Sequence, residues 1–416
     1  MQNNRFWMVD KLFQLTILLL PTQLAYHFWP EIAFVNGIRV DYLSPALYLT
    51  DLLIIVFIVL SMSFFTVRKK IINLLINQKS IILILSAFVT LNVIFAHSPF
   101  LALINWLKII LFSIFALVIV VNKNINVKKL FPFPYFLSVL IVVGLQVLQF
   151  FNNSSIGGLF YFLGERTFDT NTIGIALTNI FGKNYLRPYS TFPHPNALGG
   201  YLLVGSFLFF SAKKYIDKKY YSITLILSAI GIILSFSQMV WIASLILILI
   251  YFFKLRNLKP IFIIVTFVSF AQLLLPYYLV PFFSQDNIVK RIELLDIAGN
   301  MISDNYFLGV GLSNFIPLIP YYSSVKSFWF LQPVHNIIVL LLAELGFVGL
   351  LVIYKLYKKY TQLTKKPKID YLLKLSLLGV LLSGFADHYW LTLQQNMLLL
   401  TLLIAFSLRE SSYAEK

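Results

Sequence analysis

The chain alternates long apolar runs with short polar breaks. Runs of about 17–25 residues recur from one end to the other, each long enough to cross the hydrocarbon core of a bilayer as a helix. Spans are expected at roughly 12–29, 44–65, 80–97, 100–121, 131–151, 196–212, 221–236, 238–253, 260–282, 334–354, 369–388 and 390–408. The strands of a membrane barrel would alternate and be about half as long, so a barrel is set aside. The pattern predicts an all-α polytopic membrane protein with about 12 transmembrane helices, forming one integral unit over 1–416. The run from Leu12 to Trp29 has no small-residue cleavage site and reads as a retained helix, not a signal peptide.

Two breaks are long, 152–195 and 283–333. Loops of this size in a compact fold are functional or disordered. These are rich in aromatic residues, Gly and Pro and are expected to be ordered, with short amphipathic helices. The clearest lies over 288–302, where Ile288, Ile292, Leu295 and Met301 fall on one side.

Composition strengthens this picture: 59% of residues are hydrophobic and 12% charged, too apolar for a soluble domain. The net charge of +17 does not point to nucleic acid, because the basic residues cluster in alternate short loops. One cluster is Arg68, Lys69, Lys70 and Lys79; others are Lys213, Lys214, Lys218 and Lys219, and Lys355, Lys358 and Lys359. By the positive-inside rule these loops and both termini are cytoplasmic, and the two long loops lie on the outer face. His27, His97, His194, His335 and His388 all map to that outer side. The absence of cysteine excludes disulfides and thiolate metal sites. No pair of histidines sits at helical spacing with a carboxylate, so no metal or cofactor is expected.

Three segments carry candidate chemistry. Arg187 precedes His194-Pro195-Asn196, where Asn196 suits a helix cap and the planar fork of Arg187 suits phosphate oxygens. Lys290 and Arg291 begin the amphipathic stretch that leads to Gly309-Val310-Gly311. Without a preceding strand that turn is no nucleotide fingerprint. His335-Asn336 then starts an apolar run with Glu344 and Gly346 inside it. Ionisable groups at membrane depth are costly and default to functional hypotheses. Each feature also has a bland reading: a capped helix, headgroup-facing cations, a buried hydrogen-bonding group. Lys108, inside a span, is harder to dismiss. Asp51 and Asp387-His388 read as structural partners for outer cations.

Taken in order, Arg187 to His194-Pro195-Asn196, Arg291 with Ala298 and Gly309-Val310-Gly311 to Phe315, and His335-Asn336 to Glu344-Leu345-Gly346 and Gly349 resemble the O-antigen ligase and polymerase superfamily of membrane glycosyltransferases. The motif-bearing region is 187–349. The resemblance implies a GT-C-type fold in the bacterial inner membrane. It implies metal-independent, inverting transfer of a glycan from an undecaprenyl-pyrophosphate donor on the outer face. The acceptor is lipid A-core for a ligase, or a lipid-linked glycan for a polymerase. Arg187, Arg291 and His335 map to the family's essential residues. Lys290, His194, Asn196, Asn336 and Lys108 are further candidates for binding pyrophosphate or glycan, and Glu344, Gly309, Gly311 and Gly346 for structural or orienting roles. One departure is Ser237-Gln238, where many members read Ser-Arg. A lipid-linked glycan transporter is the alternative of another class, disfavoured by the long outer loops and few intramembrane charges.

Overall fold

The computed structural model describes residues 2–255, 257–274, 276, 286–323, 330–363 and 370–412. The protein is mostly helical. Its helices are α1 (Gln2–Leu18), α2 (Leu49–Met62), α3 (Phe65–Asn77), α4 (Lys79–Ile94), α5 (Pro99–Val121), α6 (Val127–Leu130), α7 (Pro132–Asn152), α8 (Pro195–Ser211), α9 (Lys218–Leu234), α10 (Gln238–Phe252) and α11 (Lys259–Ala271). They continue as α12 (Asp286–Asp304), α13 (Phe315–Tyr322), α14 (Ile337–Leu363), α15 (Tyr371–Gly384), α16 (Tyr389–Thr392) and α17 (Gln394–Ser412). Among the described residues, three helical stretches are long and apolar enough to cross a membrane: Pro99–Val121, Val127–Asn152 and Ile337–Tyr360. α2 and α3 would make a fourth if taken as one span, but they are bent by 99° at their junction. α4, α8, α10, α11 and α15 are apolar but shorter.

Several expectations shift. The run 12–29 is not a helix throughout. α1 ends at Leu18, just before Pro21, whose ring and missing N–H oppose helix continuation. Residues 25–48 instead form two small antiparallel pairs, β1 (Ala25–His27) with β4 (Ala46–Tyr48) and β2 (Phe34–Val35) with β3 (Ile38–Arg39). The basic stretch after α2, expected to be a loop, is helical as α3, with Val67 and Ile71 turned inward. The first long loop holds a hairpin, β5 (Leu177–Ile180) with β6 (Lys183–Leu186), and a 3-10 turn at Gly158–Leu163 in place of an amphipathic α-helix. Part of the run 260–282 lies outside the described residues. The amphipathic stretch 288–302 is helical as α12, burying Ile292, Leu294, Leu295, Ile297, Ala298 and Met301.

α8 runs through the middle of the bundle, buried along most of its length. Its glycines permit this: a Cβ at Gly200 would strike the Tyr389 ring, and one at Gly205 the Tyr135 hydroxyl. A second apolar cluster joins α12, α13 and the first turns of α14 to the 33–43 segment. The N-terminus of α8, helix α12, the start of α14 and the α15–α16 connection therefore share one end of the molecule with the hairpins and loops.

The apolar run from Ile337 is broken. Gly346 has φ 62° and ψ −172°, a region open to glycine alone, so α14 is two helices in series. The segment 306–311 fills the gap. Val310 and Gly311 donate N–H groups to the carbonyls of Ala343 (2.9 Å) and Glu344 (3.0 Å). Phe347 and Val348 donate to the carbonyls of Tyr306 (2.8 Å) and Phe307 (3.1 Å). A broken helix in an apolar setting is tolerated only where protein groups satisfy the freed backbone, as here. Asn92 locks the joint from α4: its amide donates to the carbonyls of Leu308 and Glu344, both at 3.1 Å, and its oxygen accepts from Leu312 N (3.1 Å) and Trp106 Nε1 (2.9 Å).

Candidate active site

His335 lies just before α14. Its ring stacks on Phe330 with centroids 5.9 Å apart and meets the edge of His388 at 5.2 Å. One ligand atom from each of His335, Asp387 and His388 lies within 4.8 Å of the others. Among the described residues, Nδ1 of His335 is buried and has no hydrogen-bond partner. An orphaned polar atom of this kind calls for an explanation, and a bound substrate hydroxyl is one.

Asp387 is the hub. Its Oδ2 accepts from Asn196 Nδ2 at 2.9 Å, and its Oδ1 from the His388 N–H at 2.8 Å. The Asn196 oxygen accepts from Arg187 at 2.5 Å, and Arg187 also donates to the Ser235 carbonyl at 2.9 and 3.1 Å. On the other side, Arg291 donates to the Ala386 carbonyl at 3.4 Å. Two guanidiniums thus flank one short connection that holds a carboxylate among three imidazoles.

Burial drives the His335 imidazole well below its ordinary value of 6.5, with Asp387 acting in the opposite direction. Burial likewise takes His194 down to about 4 and lowers His388. For Asp387 burial acts upward, but His388, His335, His194 and the Asn196 amide outweigh it and hold the carboxyl below the usual range. At neutral pH the cluster is therefore an anionic carboxylate among neutral, proton-accepting imidazoles, with cationic arginines beside it.

The structure brings together Arg187, His194, Asn196, Arg291 and His335. Lys290 stands nearby, 5.9 Å from the ring of Phe330. The helix cap differs from expectation: His194, not Asn196, caps α8, its Nδ1 accepting the Asn196 N–H at 3.1 Å. That frees the Asn196 amide to bridge Arg187 and Asp387. Asn336, expected to contact pyrophosphate or glycan, is fully buried and occupied within the protein. Its oxygen caps α14 at Ile338 N (2.9 Å) and Val339 N (3.2 Å), and its nitrogen donates to Gln272 Oε1 (2.7 Å) and the Ser269 carbonyl (3.2 Å).

Lys108 stands apart from this cluster in its bonding. Its ammonium lies 3.4 Å from Asp51, 3.0 Å from Gln394 Oε1 and 4.5 Å from the Tyr48 ring centroid. These contacts tie α5 to α2 and α17, and the Asp51 carboxylate neutralises the Lys108 ammonium. Glu344, Gly309, Gly311 and Gly346 meet at the helix break, where Glu344 Oε1 also accepts the Phe315 N–H at 3.4 Å at the start of α13. Gln238, in place of a cation, begins α10 next to the Ser235 carbonyl that Arg187 holds. Asp387 and His388 were read from sequence only as partners for cations. Their position, an Asp-His pair at the end of an apolar run, was the available signal for more.

The site is thus a buried histidine–carboxylate cluster with arginine flanks at the loop-bearing end of a helical membrane protein. Residues 223–354 match the family model described as O-antigen ligase. The match places that region, with Arg291, His335 and the broken helix, in the O-antigen ligase and polymerase superfamily that the motifs resemble. The family implies a glycan ligase or polymerase type of transfer. Arg187, Asn196 and Asp387 lie outside the matched residues and join the site only through the fold. The comparison with curated proteins gave no match.

Proposed function

We propose that this protein transfers a glycan from an undecaprenyl-pyrophosphate-linked donor to an acceptor hydroxyl at the outer face of the bacterial inner membrane. The observation that carries this reading is His335, its Nδ1 unpaired among the described residues, set beside Asp387 between Arg187 and Arg291. The imidazole takes the proton of the acceptor hydroxyl as the oxygen bonds to the anomeric carbon. The bond from that carbon to the pyrophosphate oxygen breaks, and Arg187 and Arg291 stabilise the charge released on the diphosphate. Base and leaving group lie on opposite sides of the sugar, so the anomeric configuration inverts. Asp387 orients the histidines and stabilises the imidazolium that forms. Both its oxygens accept hydrogen bonds, which fix the carboxylate in that orienting role, and the reaction proposed is metal-independent.

The wider architecture belongs to the same proposal: about twelve spans in a GT-C-type arrangement, both termini cytoplasmic, the long loops outside. The acceptor is lipid A-core, with a lipid-linked glycan as the polymerase alternative. The test uses purified protein in detergent with lipid-linked donor and either acceptor. Transfer by the wild type and its loss in His335→Ala, with folding retained, is the expected result. Full activity of His335→Ala would overturn the assignment of the base.

A further inference from the structure

A concavity lies between the β2–β3 hairpin, the start of α5 and α13. It is an open cleft of about 390 Å³, within the range of about 300–1,000 Å³ for small-molecule sites. Its rim is Phe34, Asn36, His97, Ser98 and Tyr321, over a floor that includes Leu101. Nothing in the proposed reaction uses these residues.

The walls are preorganised. Asn36 (φ 49°) and Gly37 (φ 79°) form the turn between β2 and β3, so the hairpin presents Phe34 and Asn36 from a fixed backbone. His97 donates its N–H to the Val310 carbonyl at 3.1 Å, and Ser98 is clamped by Asn314 at 2.5 and 3.3 Å. The cleft is therefore tied to the segment that fills the break in α14. The Tyr321 ring meets the edge of His97 at 5.8 Å, and Tyr321 and Phe34 are 74% and 41% exposed.

Aromatic faces exposed beside hydroxyl, amide and imidazole groups suit a ligand with one apolar face and a polar edge. A sugar ring is such a ligand, and a hydrocarbon chain would leave Asn36, Ser98 and His97 unmatched. We propose that this cleft is a glycan subsite that holds a sugar ring of the substrate away from the reacting carbon. The proposal rests on the glycan-transfer reading and adds to it a place where binding energy from a remote part of the substrate is collected.

The probe is lipid-free oligosaccharide released by mild acid from the surface polysaccharide of the source cells. It is titrated against full-length protein in detergent, with saturation-transfer NMR as the readout. Wild type binds the oligosaccharide saturably. Tyr321→Ala and His97→Ala, at exposed positions outside the core, each weaken binding by about tenfold, the equivalent of about 1.4 kcal/mol. Unchanged affinity in both variants, binding lost only in Arg187→Ala, or no binding to wild type overturns the subsite. Binding that depends on Tyr321 in a protein that transfers no glycan would retain the subsite and reject the transferase reading.

Discussion

Asn196 donates its side-chain N–H to Asp387 Oδ2 at 2.9 Å, joining the N-terminus of α8 to the α15–α16 connection across 191 positions of sequence. Through this bond the Arg187 segment and the histidine cluster become one site. Replacing Asp387 with Asn keeps the shape, removes the charge that steadies the imidazoles and sets two amides against each other. Turnover is expected to fall roughly 100-fold or more, the scale of a positioned acid–base interaction, with the thermal midpoint little changed. Wild-type turnover in the Asp387→Asn protein would show the carboxylate to be structural only.

The pH profile follows from burial. His335 lies well below 6.5, so the base form is already present at neutral pH and persists as pH falls. Protonation removes it only below that lowered value, placing the acid limb of kcat/KM well under 6.5. Asp387 raises the His335 value, so Asp387→Asn moves the limb further down. An acid limb at or above 6.5 would mean that another group is the base.

Arg187 reaches the site through three hydrogen bonds made by two of its nitrogens, to Asn196 and Ser235. A lysine carries the charge but lacks the fork. Arg187→Lys should therefore lose most activity, with a rise in KM for the lipid-linked donor, and Arg291→Ala should do the same. Donor kinetics near wild type in both proteins would identify them as headgroup anchors.

The helix break gives a stability prediction. A Cβ at Gly346 would strike the Phe307 carbonyl, and its φ of 62° is strained for any other residue. Gly346→Ala should cost several kcal/mol or abolish folded expression, as buried clash and backbone strain add. Size-exclusion profile and thermal midpoint measure it; an unperturbed midpoint would show that the break relaxes freely.

Lys108 and Asp51 offer a contrast. Lys108→Ala leaves the buried Asp51 carboxylate without its cation, at an expected cost of about 3–5 kcal/mol. Replacing both, as Lys108→Met with Asp51→Leu, should recover much of the stability and most of the transfer activity. A double variant that folds but transfers nothing would restore Lys108 to the list of donor-binding groups.

The helical membrane character was legible in the apolar runs because a bilayer demands long apolar stretches, which α5 and α7 show without a break. Arg187, Arg291 and His335 were legible as candidates, the arginines because a planar cationic fork suits phosphate and the histidine because an imidazole at a membrane boundary is costly. The break at Gly346 was not legible: the run is apolar on both sides of it, and only the 306–311 segment, which supplies the missing hydrogen bonds, permits it. Nor could sequence place Asn336 as a buried cap, or give Lys108 to Asp51, since both depend on partners distant in the chain. The sequence by itself determined which polar groups the membrane-like core must accommodate. Tertiary structure decided which of them meet, because hydrogen bonds and charge pairs form between neighbours in space, and here those neighbours come from helices separated by up to hundreds of residues.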